Sequence, residues 1–513
     1  MGRVSGKVRC PGVSVSDRAP LSDLRPEALG PLRFGDLDDQ VLLSNDVGQW
    51  ILLDRPDFIR LVRGQLSAEH PRHAELVERG MLREGLDAHD LARRLRRKKA
   101  ALGIGTHLHI LVLTLRCNHA CGYCHASHAG MAAQDLDMSA QTARRSVDLA
   151  LQSPAGLITI ELQGGEPLAN WPVVVELIRY GRERSQALGR ELRFNLVSNL
   201  SLMDEEKLQV LVAPDIGVCT SLDGPADLHD HNRRLVGGAS SYAQVVHWLG
   251  RFRQAYADRG WDPRQFRVEA LSTVTRASLG RVKDIVDTYL ALGLPALHVR
   301  GLNPYGFAES AWARIGTSTD ELLAFHGEVL DEILDRIRHG ADLREQTAAT
   351  FLTKLLTPDD PNHLDLRSPC GAGTGQLAYD YDGQVYTCDE GRMLARMGDP
   401  AFRLGDVEDA QMGELVGHPT VRAMAVASTL EALPGCNHCV YQPWCGVCPV
   451  HTWRTQGDLF GQRPRSELCK LHQGQIELLL RRLRDDPDGH TGRVFTRWTL
   501  NQPRTAPVSC STT

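Results

Sequence analysis

Between Leu108 and Gly301 the sequence repeats one pattern, a short apolar run followed by a longer segment of helical periodicity. The runs are "LHILVLTL" (108–115), "LITIELQ" (157–163), "ELRFNLVS" (191–198), "IGVCTSL" (216–222), "FRVEALSTVT" (266–275) and "ALHVRG" (296–301). The helical stretches fall at 139–152, with Ser139 as candidate N-cap, and at 171–188, 204–212, 241–258 and 278–292. Strands joined through helices make a parallel sheet with right-handed crossovers. Six units are fewer than the eight of a closed barrel, so the expectation is an open or partial one.

In such barrels functional side chains collect at the C-terminal ends of the strands. The unusual residues of this chain sit there. "RCNHACGYC" follows the first strand and "GGEP" (164–167) the second; "SN" (198–199) ends the third and "SLDGP" (221–225) the fourth. "RGLNPYG" (300–306) follows the sixth.

The net charge of −5 gives no push toward nucleic acid or anionic membrane. No apolar run approaches the roughly 20 residues of a membrane helix. The start, "MGRVSGKVRCPGVSVSD", has no apolar signal core, so the expected location is the cytoplasm. In a reducing compartment, clustered cysteines point to metal or redox chemistry rather than disulfides. Ten of the 13 fall in two groups: Cys117, Cys121 and Cys124, then Cys370, Cys388, Cys436, Cys439, Cys445, Cys448 and Cys469. Cys219 reads as a small buried hydrophobe, and Cys10 and Cys510 lie in polar ends.

The first group has the spacing C-x3-C-x2-C and no fourth cysteine nearby. A four-iron cluster is usually held by four thiolates, and three leave one iron free to bind something else. A structural zinc ion wants a closed set of four. His119, His125 or His128 could supply the fourth, so the loop alone leaves zinc open.

C-x3-C-x2-C with Tyr123 before the third cysteine resembles the signature of the radical S-adenosylmethionine (SAM) superfamily. Gly164, Gly165, Glu166 and Pro167 resemble the segment that contacts the methionyl amino group of SAM. Ser198, Asn199, Ser221 and Asp223 resemble its ribose and methionyl contacts. The resemblance covers roughly 107–305. It implies a partial (β/α)6 barrel and a SAM-binding [4Fe–4S] cluster whose electron cleaves SAM to a 5′-deoxyadenosyl radical, which abstracts hydrogen from an unreactive C–H bond.

The second group contains two C-x2-C pairs only five residues apart, too close for a zinc ribbon. It resembles the SPASM domain, the C-terminal extension of many peptide-modifying radical SAM enzymes, which usually carries two auxiliary [4Fe–4S] clusters. The resemblance assigns Cys436, Cys439, Cys445 and Cys469 to one cluster and Cys370, Cys388 and Cys448 to the other. The gap before Cys448 is x2 where the family usually has x3. "GAGTGQLAYD" (371–380) lacks the further cysteine of sulfatase-maturing relatives, leaving one iron not held by cysteine. Asp389 matches a proposed proton acceptor of those relatives, with a turn or hydrogen-bonding role as the alternative. Arg300 is a candidate partner for a carboxylate of SAM or substrate, or a structural ion pair.

The expected domains are a disordered start (1–20), a small winged-helix-like domain (21–100), the barrel (101–318), a bridging helix at 319–340 with the SPASM domain (319–486), and a disordered tail (487–513). Within the small domain, two strands flank a turn at Asn45–Asp46, and helices follow at 56–66 and 71–80. The basic stretch 93–103 reads as a solvated helix or linker, or as a docking surface for an acidic peptide. A last helix is expected at 474–486.

The small domain resembles peptide-recognition elements that bind a leader by strand addition. "LSNDVGQW" with the cysteine loop looks most like maturases of the His-Xaa-Ser system, which implies crosslinking or oxidation of a ribosomally made precursor peptide. The competing enzymes are an anaerobic sulfatase maturase making formylglycine and a thioether-forming maturase; a zinc or Fe–S scaffold is the non-enzyme alternative. The expected electron donor is a flavodoxin or ferredoxin, with no nucleic acid and no membrane among the partners.

Overall fold

The structure, a computed structural model, describes residues 24–500. The expected disordered start over 1–20 and the last part of the expected tail, 501–513, lie outside them. The chain divides into two compact units, 24–95 with His438–Pro443, and Arg96–Asn437 with the chain from Trp444 onward. The barrel and the cysteine-rich segment, expected as separate domains, thus share one unit.

In the first unit, β1 (Leu32–Leu37), β2 (Gln40–Asn45) and β3 (Trp50–Asp54) form an antiparallel sheet in that order. The two strands expected around Asn45–Asp46 are β2 and β3. β1 escaped notice because Leu37 is its only buried residue. Val41 and Leu43 of β2 and Ile51 and Leu53 of β3 alternate onto one face. They meet Leu61 of α1 (Arg55–Val62), Leu76 of α2 (His73–Glu78) and Met81. His438–Pro443 lies against the sheet: Ser44 donates to the Val440 carbonyl at 2.6 Å, and Gly35 has no Cβ to strike the Val440 side chain. α3 (Ala88–Lys98) carries the chain onward, taking up most of the basic stretch as a helix.

The second unit begins with the expected alternation. It runs β4 (Leu108–Val112), α4 (Ala140–Ala150), β5 (Leu157–Gln163), α5 (Trp171–Leu188) and β6 (Glu191–Val197). α6 (Glu205–Leu211), β7 (Ile216–Ser221), α7 (Ala226–Asn232), α8 (Ser241–Asp258), β8 (Val268–Thr273) and α9 (Val282–Ala291) follow. Ser139 caps α4 as expected, accepting the Thr142 N–H.

The sixth expected strand is split at His298. β9 (Ala296–Leu297) pairs with β11 (Arg344–Glu345), whereas β10 (Val299–Arg300) pairs with β8. All six strand units are parallel, in the order β10-β8-β7-β6-β5-β4. α10 (Phe307–Ile315) and α11 (Thr319–Arg338) lead out of the barrel, and α12 (Gln346–Leu356) follows β11.

The sheet does not stop at β4. β12 (Gln376–Tyr379) pairs parallel with it, from Gln376 opposite Leu108 to Tyr379 opposite Leu111. β13 (Gln384–Tyr386) and β14 (Arg403–Asp406) extend it antiparallel, making nine strands. β4 is therefore an interior strand, and all five of its residues are buried.

α13 (Asp389–Arg396) lies between β13 and β14, and α14 (Met412–Val416), α15 (Pro419–Ser428) and α16 (Pro449–Gln456) follow. α17 (Glu467–Asp485) starts earlier than the expected 474 because Ser466 caps it, accepting the Cys469 N–H. Residues 490–500 correct the expected tail: they form α18 (His490–Leu500), which packs on α12 and buries Val494, Phe495 and Trp498. A polar, arginine-rich segment hid that apolar stripe.

Candidate functional site

The triple-cysteine loop leaves β4 and is tied down before its first thiol. Arg116 clamps Asp137 with Nε at 2.8 Å and Nη2 at 2.5 Å, and Nη2 also reaches the Ala169 carbonyl at 2.7 Å. The Cys117 amide donates to Ala129 O at 2.9 Å, and the Ala120 amide to Arg234 O at 2.7 Å. Cys117 is buried, and its sulfur accepts from the His119 amide at 3.3 Å and from Asn199 Nδ2 at 3.8 Å. Burial raises the thiol pKa of Cys117 and Cys124, and pushes Cys121 up to about 12. Thiolates in such a place need a cation beside them, and soft sulfur donors select iron, zinc or copper(I).

His125, a candidate fourth zinc ligand, spends Nε2 on the Asn303 amide at 3.3 Å. His119 Nε2 and His128 Nδ1 are buried without a partner among the described residues. The donor set fits an iron–sulfur group with three thiolate corners.

Gly164 and Gly165 pack the end of β5 against the root of this loop. A Cβ on Gly165 would stand 2.5 Å from the carbonyl oxygens of Leu115 and Arg116. The Gly165 amide donates to Thr114 O and the Glu166 amide to Arg116 O, each at 2.8 Å. The Glu166 carboxylate accepts from Leu168 N at 3.0 Å, Ser198 Oγ at 2.8 Å and Asn199 N at 2.8 Å. It thereby ties the end of β5 to the end of β6. Burial nonetheless raises its pKa to about 7, against those hydrogen bonds. Pro167 opens the turn that follows. Asn199 reaches Asn118 of the loop at 3.2 Å.

Tyr123 and Asp223, expected beside SAM, are bonded to each other. The Tyr123 hydroxyl donates to Asp223 Oδ2 at 2.6 Å; Asn232 Nδ2 donates to it at 3.2 Å and Arg233 Nε at 3.1 Å. The Thr273 amide takes Oδ1 at 3.1 Å. The Arg233 guanidinium also lies 5.1 Å from the centre of the Tyr123 ring. Ser221, half-buried, ends β7 two residues before. Sequence reading missed Arg233, Asn232 and Asn118. The only signal for Arg233 was its place just after the helix that follows SLDGP.

In the second group, Cys370, Cys388 and Cys448 share one apolar cluster with Tyr305, Met393, Leu394 and Phe402. Cys388 and Cys448 are the N-caps of α13 and α16; their sulfurs accept from Gly391 N and His451 N, each at 3.4 Å. Helix N-termini favour the thiolate form, whereas burial raises all three thiols. Cys436 and Cys445 meet around Leu430, Leu433 and Val447, and Cys445 lies 3.8 Å from His472 Nδ1. Cys469 stands in the first turn of α17. Cys439 belongs to the first unit, where the Tyr441 and Gln442 amides favour its thiolate and burial opposes it.

Asp389 is the first residue of α13, fully buried, with Oδ1 held by Arg392 Nε at 2.7 Å. Oδ2 has no partner among the described residues. Its neighbour Glu390 has its pKa raised by burial, then by Asp365 and Asp389, which makes it the carboxyl that keeps a proton. Arg300 is half-buried; loss of solvent lowers its pKa, and the charges of Glu390, Asp365 and Asp389 oppose that.

The Phe307 amide donates to Cys124 O at 2.9 Å. Beside it opens a cavity of about 370 Å³, lined by Ser127, Phe307, Met397, Trp453, Glu309 and Arg454 among others. This is the size of a small ligand site.

Comparison with known proteins supplies the context. Residues 111–262 match the Radical SAM superfamily. An uncharacterized protein of Methanocaldococcus jannaschii is 30% identical over 195 residues, covering 38% of this chain and 62% of its own, so the chain spans less than two thirds of that relative. An uncharacterized protein of Archaeoglobus fulgidus is 23% identical over 362 residues, 70% of this chain and 77% of its own. Among solved structures, native anSMEcpe with bound AdoMet superposes with a TM-score of 0.61 at 19% identity, over 75% of this chain and 100% of that one. Streptococcus suis SuiB bound to precursor peptide SuiA gives 0.51 at 12% identity, over 86% and 100%. At such identities the likeness is one of fold. No helix among the described residues is long and apolar enough to cross a membrane.

Proposed function

Taking residues 111–262 as a radical SAM domain, we propose that the chain is a SAM-dependent iron–sulfur enzyme acting on a ribosomally made peptide. The observation that carries this is the junction of the C-x3-C-x2-C loop with the GGEP segment, locked backbone to backbone at the C-terminal end of a parallel sheet. A four-iron cluster and SAM would supply the one-electron chemistry that breaks a sulfonium C–S bond and removes hydrogen from an unactivated carbon.

The chain's own part is to hold and to exclude. Cys117, Cys121 and Cys124 are the ligands of that cluster. Glu166, through Ser198 and the Asn199 amide, fixes the rim of the site. Asp223 with Arg233 steadies Tyr123 beneath the loop. Cys117 is buried and Cys121 and Cys124 are half-buried, which limits the access of bulk water to a reactive centre. Gly164, Gly165, Glu166, Pro167, Ser198, Asn199, Ser221, Asp223 and Tyr123 remain the proposed SAM contacts.

Cys370, Cys388 and Cys448 are assigned to one auxiliary cluster, and Cys436, Cys439, Cys445 and Cys469 to another. Asp389 is the proton acceptor, its Oδ1 held by Arg392 and its Oδ2 left without a partner among the described residues. The peptide reading is supported by the 370 Å³ cavity beside Cys124 and by the two solved structures sharing this fold, one holding AdoMet and one a precursor peptide. The narrower His-Xaa-Ser assignment rests on the sequence stretches that resemble it.

The test is release of 5′-deoxyadenosine when the anaerobically reconstituted protein is reduced with SAM present. Release that disappears in Cys117→Ala, Cys121→Ala and Cys124→Ala variants supports the reading. No release from an iron-replete wild type, or zinc without sulfide, leaves the scaffold alternative.

A further inference from the structure

Tyr305 is 1% exposed, and its hydroxyl has no hydrogen-bond partner among the described residues. An unpaired hydroxyl in a dry interior costs about 1–3 kcal/mol, so something is expected to meet it. The ring packs in the apolar cluster that holds Cys370, Cys388 and Cys448. Its backbone is fixed on both sides. The Tyr305 amide donates to Asn303 O at 2.9 Å, and Gly306 takes φ +56 where a Cβ would lie 2.4 Å from His125 O. Phe307 then hydrogen-bonds Cys124 O. Three consecutive residues therefore reach from the first cysteine loop to the second thiol group.

We propose that the Tyr305 hydroxyl donates a hydrogen bond to the iron–sulfur cluster held by Cys370, Cys388 and Cys448, and thereby sets that cluster's reduction potential. This rests on the assignment of those three cysteines as its ligands. Three thiolates with no fourth cysteine beside them put sulfur acceptors in the same apolar cluster as a hydroxyl that has no partner among the described residues. A donor to cluster sulfur draws off negative charge and makes the reduced state easier to reach. The role is one of tuning, and no bond to substrate is made.

The experiment uses the full-length protein, reconstituted without oxygen, as wild type, Tyr305→Phe and Cys388→Ala. Iron and sulfide per chain come first. Next come an EPR-monitored redox titration and proton ENDOR in H2O and D2O. Tyr305→Phe is expected to keep the wild-type iron content, to lower the midpoint potential of the signal that Cys388→Ala loses, and to lose one exchangeable proton coupling. An unchanged potential and unchanged couplings overturn the proposal. Loss of iron from Tyr305→Phe overturns it as well, since the phenol would then be a ligand rather than a donor. If Cys388→Ala loses no iron, the ligand assignment fails instead, and that is read before Tyr305 is tested.

Discussion

Asp223 accepts hydrogen bonds from Tyr123, Asn232, Arg233 and the Thr273 amide while fully buried. A buried carboxylate is tolerable only when its partners are in place. Arg233→Met is therefore expected to destabilise the protein by about 3–5 kcal/mol in urea unfolding, more than Tyr123→Phe at about 1–3 kcal/mol, because only the first strands a charge. Glu166 makes a different prediction. Its pKa in the folded chain, about 7, lies above the ordinary 4.5. The folded state then holds a proton that the unfolded state has released, so the stability this group contributes is present below pH 4.5 and is lost as pH rises through 7. Glu166→Gln in the metal-free protein is expected to flatten the stability–pH curve across that window by up to one proton of slope. An unaltered slope would place the titrating group elsewhere. Sequence reading singled out Asp223 and Glu166 by motif, but the bonds of Asp223 to Tyr123 and Thr273, and of Glu166 to Ser198 and Asn199, join separate strand ends and could not be read.

Helix ends and close approaches decide the elements around the site. Ser318 and Glu321 form a reciprocal capping box at the start of α11, and Ser318→Ala is expected to cost about 1 kcal/mol of thermal or urea stability. Cys388 and Cys448 occupy the same kind of position in α13 and α16, so two expected cluster ligands are also helix starts. Gly165 is fixed by the carbonyls of Leu115 and Arg116, which a Cβ would meet at 2.5 Å. Gly165→Ala is expected to push the cysteine loop off β5 and lower the iron incorporated at Cys117, Cys121 and Cys124, with the far-ultraviolet spectrum kept. The helices and strands of the barrel were readable because period and capping are local. β1 and the split at His298 were not, since each depends on a pairing partner.

For the whole molecule, the nine-stranded sheet matters most. β12 pairs with β4, so the cysteine-rich segment is part of the sheet and not an appendage. α18 packs on α12 in the same unit, burying Phe495 and Trp498. Phe495→Ala is expected to cost about 3–5 kcal/mol, and a chain ended after Asp486 to lose at least as much. Wild-type stability in the shortened chain, measured by denaturant titration, would return 487–500 to the status of a tail.

By itself the sequence determined the parallel α/β plan, the thiol spacing and the strand-end loops in which the unusual residues collect. Hydrophobic period, helix caps and motif spacing are properties of neighbouring residues. Only the tertiary structure decided that Tyr123 and Asp223 satisfy each other, that Arg233 joins them, that β4 is interior, and that Tyr305 shares an apolar cluster with Cys370, Cys388 and Cys448. Those outcomes turn on which buried polar group finds which partner, and burial is set by segments hundreds of residues apart.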